Sequence, residues 1–208
     1  VDRAKLPVYE RIIELYAPYV LVRCARYTNS RRQAQWIGVY TLITTCLLAS
    51  ELEHVGQFGR IVDMMAEVIG LDFVSGGEGE VWWGQADDLL IVDQRMRKMA
   101  EALNSLKRPL REVLVLHHVA GMEPDDLASL LQKPAAEVVA KISRAERLLA
   151  GRLDGPSDRA GGPDIRALLA QFAAGLDAGW MQEVAYCAMD YLADRARRDR
   201  RRHRCWEN

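Results

Sequence analysis

Apolar residues recur at helical spacing along most of the chain, and the interruptions are short. Between residues 7 and 29, Tyr9, Ile12, Ile13, Tyr16, Tyr19, Val20, Cys24 and Tyr27 fall on one helical face, which predicts a first helix. Pro18 lies inside it. A proline removes one helical hydrogen bond and crowds the preceding turn, so a kink or break is expected there. The Thr28-Asn29-Ser30 cluster ends this helix and carries the side chains to begin the next. Residues 31–53 include QAQWIGVYTLITTCLLASEL, apolar on nearly all sides and rich in β-branched residues, so a strand competes here. About 20 residues without a turn signal is too long for a typical strand and favours a helix buried by its neighbours. After Gly56 and Gly59, RIVDMMAEVIGLDFV places Ile61, Met64, Met65, Val68, Ile69 and Leu71 on the packing face of a third helix.

Residues 75–93, SGGEGEVWWGQADDLLIVD, break the period with glycines, acids and the pair Trp82-Trp83. Glycine and acid suggest a solvated linker, whereas two adjacent indoles suggest docking on a neighbouring domain or a partner. Helical spacing resumes at 94. Met96, Met99, Ala100 and Leu103 share a face, with Arg95, Arg97 and Lys98 turned outward. Pro109 suits the first turn of the next helix, and Gly121 suits its end. Asp125 and Asp126 then favour a helix start, DDLASLL is short, Gln132-Lys133-Pro134 is a turn, and AAEVVAKISRAERLLAGRL runs to residue 153. A short helix, a tight turn and a longer helix form a helix-turn-helix pattern, in which the second helix enters the major groove. After GPSDRAGGP comes an amphipathic extension carrying Leu168, Leu169, Phe172, Leu176, Trp180, Met181, Val184, Tyr186, Met189, Tyr191 and Leu192, as one long or two shorter helices. Its apolar face must cover the rest of the chain, meet a second copy or bind a partner. The fold class expected is therefore all-α. The divisions are a helical domain over 1–74, a linker over 75–93, a helix-turn-helix domain over 94–154 and an extension over 163–208.

Composition narrows the function classes. Half of the 208 residues are apolar, as in an ordinary globular protein, yet no run is long enough to suggest a membrane span and no export core opens the chain. A cytoplasmic location is expected. Cys24, Cys46, Cys187 and Cys205 are widely spaced, which fits reduced thiols, with Cys24 and Cys46 as core packing. The net charge of -1 conceals a division: residues 75–93 hold five acids and no Lys or Arg, whereas RARRDRRRHR near the end holds seven arginines and His203. That tail suits nucleic acid or an acidic surface, or else a solvated end. No phosphate loop, H-E-x-x-H or G-x-S-x-G occurs, and adjacent His117 and His118 point to different faces. No enzyme, metal site or cofactor is expected.

The string LNSLKRPLREVLVLHHVAGMEPDDLASLLQKPAAEVVAKISRAERLLAGRL resembles region four of bacterial extracytoplasmic-function sigma factors. The family's leucine-proline segment corresponds to 106–109, its R-E-V-L-x-L helix to 111–116, its glycine to Gly121, its acidic L-A-x-L-L helix to 126–131 and its S-R-A-x-x-x-L ending to 143–149. Upstream, LYAPYVLVRCARYT, residues 34–47 and RIVDMMAEVIGLDFV are similar to the helices of region two, with the acidic stretch in the linker's place. The resemblance implies a transcription factor that docks on core RNA polymerase through its N-terminal helices and binds promoter DNA through the last helix of residues 94–154. It also implies an anti-sigma or other protein regulator as a partner.

Several positions depart from the family. Trp36 and Val39 stand where an acid and glutamine pattern docks on polymerase, and no arginine follows the third helix, so melting in the family's usual way is not expected. Glu137 and Val139 stand where a Thr and a Lys are common. The DNA-binding candidates that remain are Lys133, Lys141, Ser143, Arg144 and Arg147. Lys141, Ser143 and Arg144 lie within one turn; cations there would neutralise phosphates, and an arginine would suit guanine. Against this, Arg144, Glu146 and Arg147 also suit a plain solvated face, with Glu112 and Glu123 nearby. Two functions stay open: a sigma-like transcription factor, or a degenerate sigma-like module that keeps the fold and regulates through protein contacts.

Overall fold

The computed structural model describes residues 3–49, 57–75, 89–153 and 164–206, with side chains described to residue 199. The described residues are helical with no strand, as the periodicity predicts. The nine α-helices are α1 (Leu6–Cys24), α2 (Arg31–Ala49), α3 (Phe58–Ser75), α4 (Gln94–Ser105), α5 (Arg108–Leu114), α6 (Pro124–Leu131), α7 (Ala135–Leu153), α8 (Ile165–Gly175) and α9 (Ala178–Trp206). Trp82-Trp83 and most of the acidic linker lie outside the described residues. Among the described residues, no helix is long and apolar enough to cross a membrane.

α1 passes through Pro18 as one helix, contrary to the expected kink or break, and it ends at Cys24 rather than near residue 29. The lost hydrogen bond is outweighed by tertiary burial, since every residue from Ile12 to Cys24 except Glu14 and Leu15 is buried. Ser30 then begins α2, its Oγ accepting from the Gln33 amide at 3.3 Å. Asn29 does a second job. Its side chain accepts from the Ile91 amide at 3.1 Å and donates to the Ile91 carbonyl at 3.3 Å, fastening the segment before α4 to the α1–α2 corner. Asp93 caps α4 by accepting from the Arg95 amide at 2.7 Å.

α1, α2, α3 and α9 pack together, while α4 to α7 gather beside them, and one contiguous core runs through both groups. α3 buries only half of the face expected of it: Ile61 is buried, and Met65 and Ile69 pack partly against the core. Ile61, Val62 and Ala66 face the core, but Met64, Val68 and Leu71 are about half exposed. The inward strip includes a charge instead. Asp63 Oδ1 lies 2.9 Å from Arg23 Nε, accepts from the Tyr19 hydroxyl at 2.8 Å and pairs with the Arg111 guanidinium. Arg23 and Arg111 are themselves buried, and Arg23 also donates to Asn104 at 3.0 Å. A buried charge is tolerated only when paired and hydrogen-bonded; here both arginines pair with Asp63 and hydrogen-bond through their other nitrogens, while the Arg23 Nε lacks hydrogen-bond geometry, and the network joins α1 and α3 to α4 and α5.

The extension is two helices, and its apolar face turns inward. α8 packs on α4, on α7 and on the π-helical turn Val115–Val119 that follows α5; α9 packs on α1 and α2. Trp180, Val184, Ala188 and Leu192 are fully buried, whereas Tyr186 and Tyr191 face water, contrary to their expected place on the packing face. The close fit explains Gly38, where a side-chain Cβ would meet Trp180 at 3.1 Å. The Trp180 indole donates to the Arg31 carbonyl at 3.2 Å, and Arg31 pairs with Asp177 at 2.6 Å. α9 continues as helix through the arginine-rich residues to Trp206. Cys24 and Cys46 are buried core thiols, each with its pKa pushed up to about 12 by burial.

Candidate nucleic-acid interface

α6 and α7 form the compact pair that the sequence predicts. Pro124 sits in the first turn of α6, and Asp125 and Asp126 lie beside the positive end of its dipole. Its C-terminus closes on Gln132, whose φ of 52° is left-handed, with the Lys133 amide donating to the Ala128 carbonyl at 2.9 Å. This reverses the chain within three residues, and Ala135 opens α7.

α7 buries Val138, Ile142, Ala145 and Leu149, a strip at intervals of four, three and four. The opposite strip holds Ala136, Ala140, Ser143, Arg144 and Arg147, all exposed. Ala136 and Ala140 were not singled out by the charge pattern. Two small residues on an outward face allow a helix backbone to approach a surface closely, and the alanines of AAEVVA at positions 136 and 140 were the available signal.

The five candidates separate into two groups. Ser143, Arg144 and Arg147 lie together on the outward strip, and Arg144 makes no ion pair with any described residue. Arg147 Nε donates to the Ser143 carbonyl at 3.4 Å, a weak contact that leaves most of its guanidinium in solvent. Lys141 and Lys133 are drawn to Glu137 instead, at 2.8 Å and 3.9 Å. The hydrogen bond from Lys141, followed by the charges of both lysines, holds the Glu137 carboxyl below its ordinary range. These pairs are exposed and therefore weak, but they offset part of the positive charge along this edge. Glu112, by contrast, does not oppose a ligand here. It is buried on α5, accepting from Tyr16 at 3.1 Å and from Arg108 at 2.9 Å, with its pKa raised by burial despite Arg108.

No family model, curated protein or solved structure matches this chain. Function therefore rests on the chemistry of the surface itself. The two histidines serve local packing: His117 Nδ1 lies 2.7 Å from the Met122 carbonyl, and His118 Nε2 lies 3.0 Å from Glu146. Glu146 also accepts from Arg166 of α8 at 3.0 Å, so it ties the extension to α7 rather than adding to the outward strip. No group of three or more metal-ligating side chains occurs among the described residues. What the outward strip offers is a guanidinium pair, a hydroxyl and two small residues on one helix, a set suited to a phosphate backbone and a base edge.

Proposed function

We propose that this chain is a sigma-factor-like transcription protein that binds promoter DNA through α7 and core RNA polymerase through its N-terminal helices. The observation that carries this proposal is the outward strip of α7, with Arg144 and Arg147 beside Ser143, Ala136 and Ala140. Two to four cations give a modest phosphate contribution that falls with salt. In a gel-shift titration at low ionic strength, the protein binds promoter-like DNA, and Lys141→Ala with Arg144→Ala weakens it about tenfold. Absence of any shift at low salt sinks the proposal. Capture of core polymerase tests the N-terminal half separately.

A second function has its own support. Glu137 engages both Lys133 and Lys141, which lowers the net charge available for DNA and favours a sigma-like module acting through protein contacts. Under that alternative, polymerase or another protein is still captured after the double substitution, and DNA is not shifted.

A further inference from the structure

α3 is apolar on two sides, and the described residues cover only one of them. Its inner side packs on α1 and α2. On the outer side Met64, Val68 and Leu71 follow one another at intervals of four and three residues, with 47 %, 55 % and 52 % of their surfaces in water. Half-buried Met65, Ile69 and Phe73 continue the apolar surface around the helix toward α2. There the Phe73 ring lies 6.3 Å from Trp36, which lies 4.0 Å from the Tyr40 ring. Trp36 and Tyr40 are 52 % and 46 % exposed. An apolar helix face is stabilised by being covered.

We propose that this α2–α3 face is the interface of a homodimer. Its spacing is that of a helix–helix seam, so the best-matched cover is a second α-helix with the same 4-3 pattern, which an identical copy provides. The area agrees. The exposed halves of Trp36, Tyr40, Met64, Val68 and Leu71 amount to roughly 500 Å², and with the half-buried residues and a polar rim each copy approaches the ~800 Å² per partner of a stable interface. The charges that flank the seam also permit self-association. Arg60 faces two acids, Glu67 and Asp72, but Glu67 lies 4.0 Å from Arg23, which leaves one cation and one acid, Arg60 and Asp72, neither of which makes an ion pair with any described residue. A strongly single-signed face would repel its own copy; this one does not.

Sedimentation velocity on the full chain over a concentration series tests the inference. The wild type is expected to shift from monomer to dimer as concentration rises, with a midpoint on the order of micromolar. Val68→Glu, at a position more than half exposed, is expected to move that midpoint at least tenfold upward while leaving the circular dichroism spectrum unchanged. Tyr186→Glu places the same charge on α9, at a residue 72 % exposed, and is expected to leave dimerisation intact. A wild type that stays monomeric up to roughly 100 μM overturns the proposal. So does a dimer indifferent to Val68→Glu, or one dissociated by Tyr186→Glu.

Discussion

Glu112 is a carboxylate placed where a carboxylate is expensive. Its neighbours are the Tyr16 hydroxyl, the Arg108 guanidinium and Gly59, where any Cβ would fall on the carboxylate itself. Burial pushes its pKa up, the Arg108 charge only partly opposing the shift. A carboxyl whose folded pKa exceeds its unfolded value binds its proton more tightly in the folded chain. Its contribution to stability is complete below the unfolded pKa, near 4.3, and is lost as pH rises through the folded pKa. Glu112→Gln removes that titration and nearly keeps the shape. Urea unfolding of both proteins between about pH 4 and pH 7 should show the wild type losing stability relative to the variant as pH rises. A wild type that instead gains stability relative to the variant as pH rises would mean that the Arg108 pair, not burial, governs this group. None of this was legible in the sequence. Glu112 and Asp63 occupy helical positions that a surface acid would equally occupy, and only their distant partners, Tyr16, Arg23 and Arg111, distinguish them.

Among the elements, the α6–α7 pair was the most legible and α3 the least. Proline at the start of α6, a polar turn and a clean apolar strip on α7 are local signals, and local signals survive in any tertiary context. The inward face of α3 is not local. RIVDMMAEVIGLDFV has apolar residues on both sides, and the choice between them was made by Asp63, whose place is fixed by arginines on α1 and α5. The turn itself still holds strain. Gln132 has a left-handed φ of 52° without being glycine, a conformation that costs a residue with a Cβ about 1–2 kcal/mol. Gln132→Gly relieves this but loosens the unfolded chain by about 0.4–1 kcal/mol, so a net gain between about 0 and 1.6 kcal/mol is expected in the unfolding free energy measured with urea. A loss of stability instead would show that the exposed Gln132 side chain contributes an interaction of its own.

At the scale of the whole molecule, the extension is structural cover as well as an addition. Its amphipathic spacing left three destinations open, and the structure takes the first: α8 lies on the helix-turn-helix side and α9 on the N-terminal helices, with Leu176 and Asp177 between them. One connected piece therefore spans both helix groups, alongside the Asp63 network that joins them directly. The consequence is a measurable dependence of the whole fold on α9. Replacing a fully buried Trp with Ala ordinarily costs about 3–5 kcal/mol, against a total of about 5–15 kcal/mol for a domain. Trp180→Ala should lower stability by that amount, because it empties the space against Gly38 and removes the hydrogen bond to the Arg31 carbonyl. Deleting residues 164–208 also removes Val184, Ala188 and Leu192, each fully buried, and bares α1 and α2 to water. Because that loss compounds the Trp180 loss, the truncated chain is expected to lose its sharp unfolding transition, in circular dichroism and hydrogen exchange alike. A truncated chain that unfolds at the wild-type midpoint would make α8 and α9 an appendage, and the burial of Trp180 would then be irrelevant to holding α1 and α2 in place.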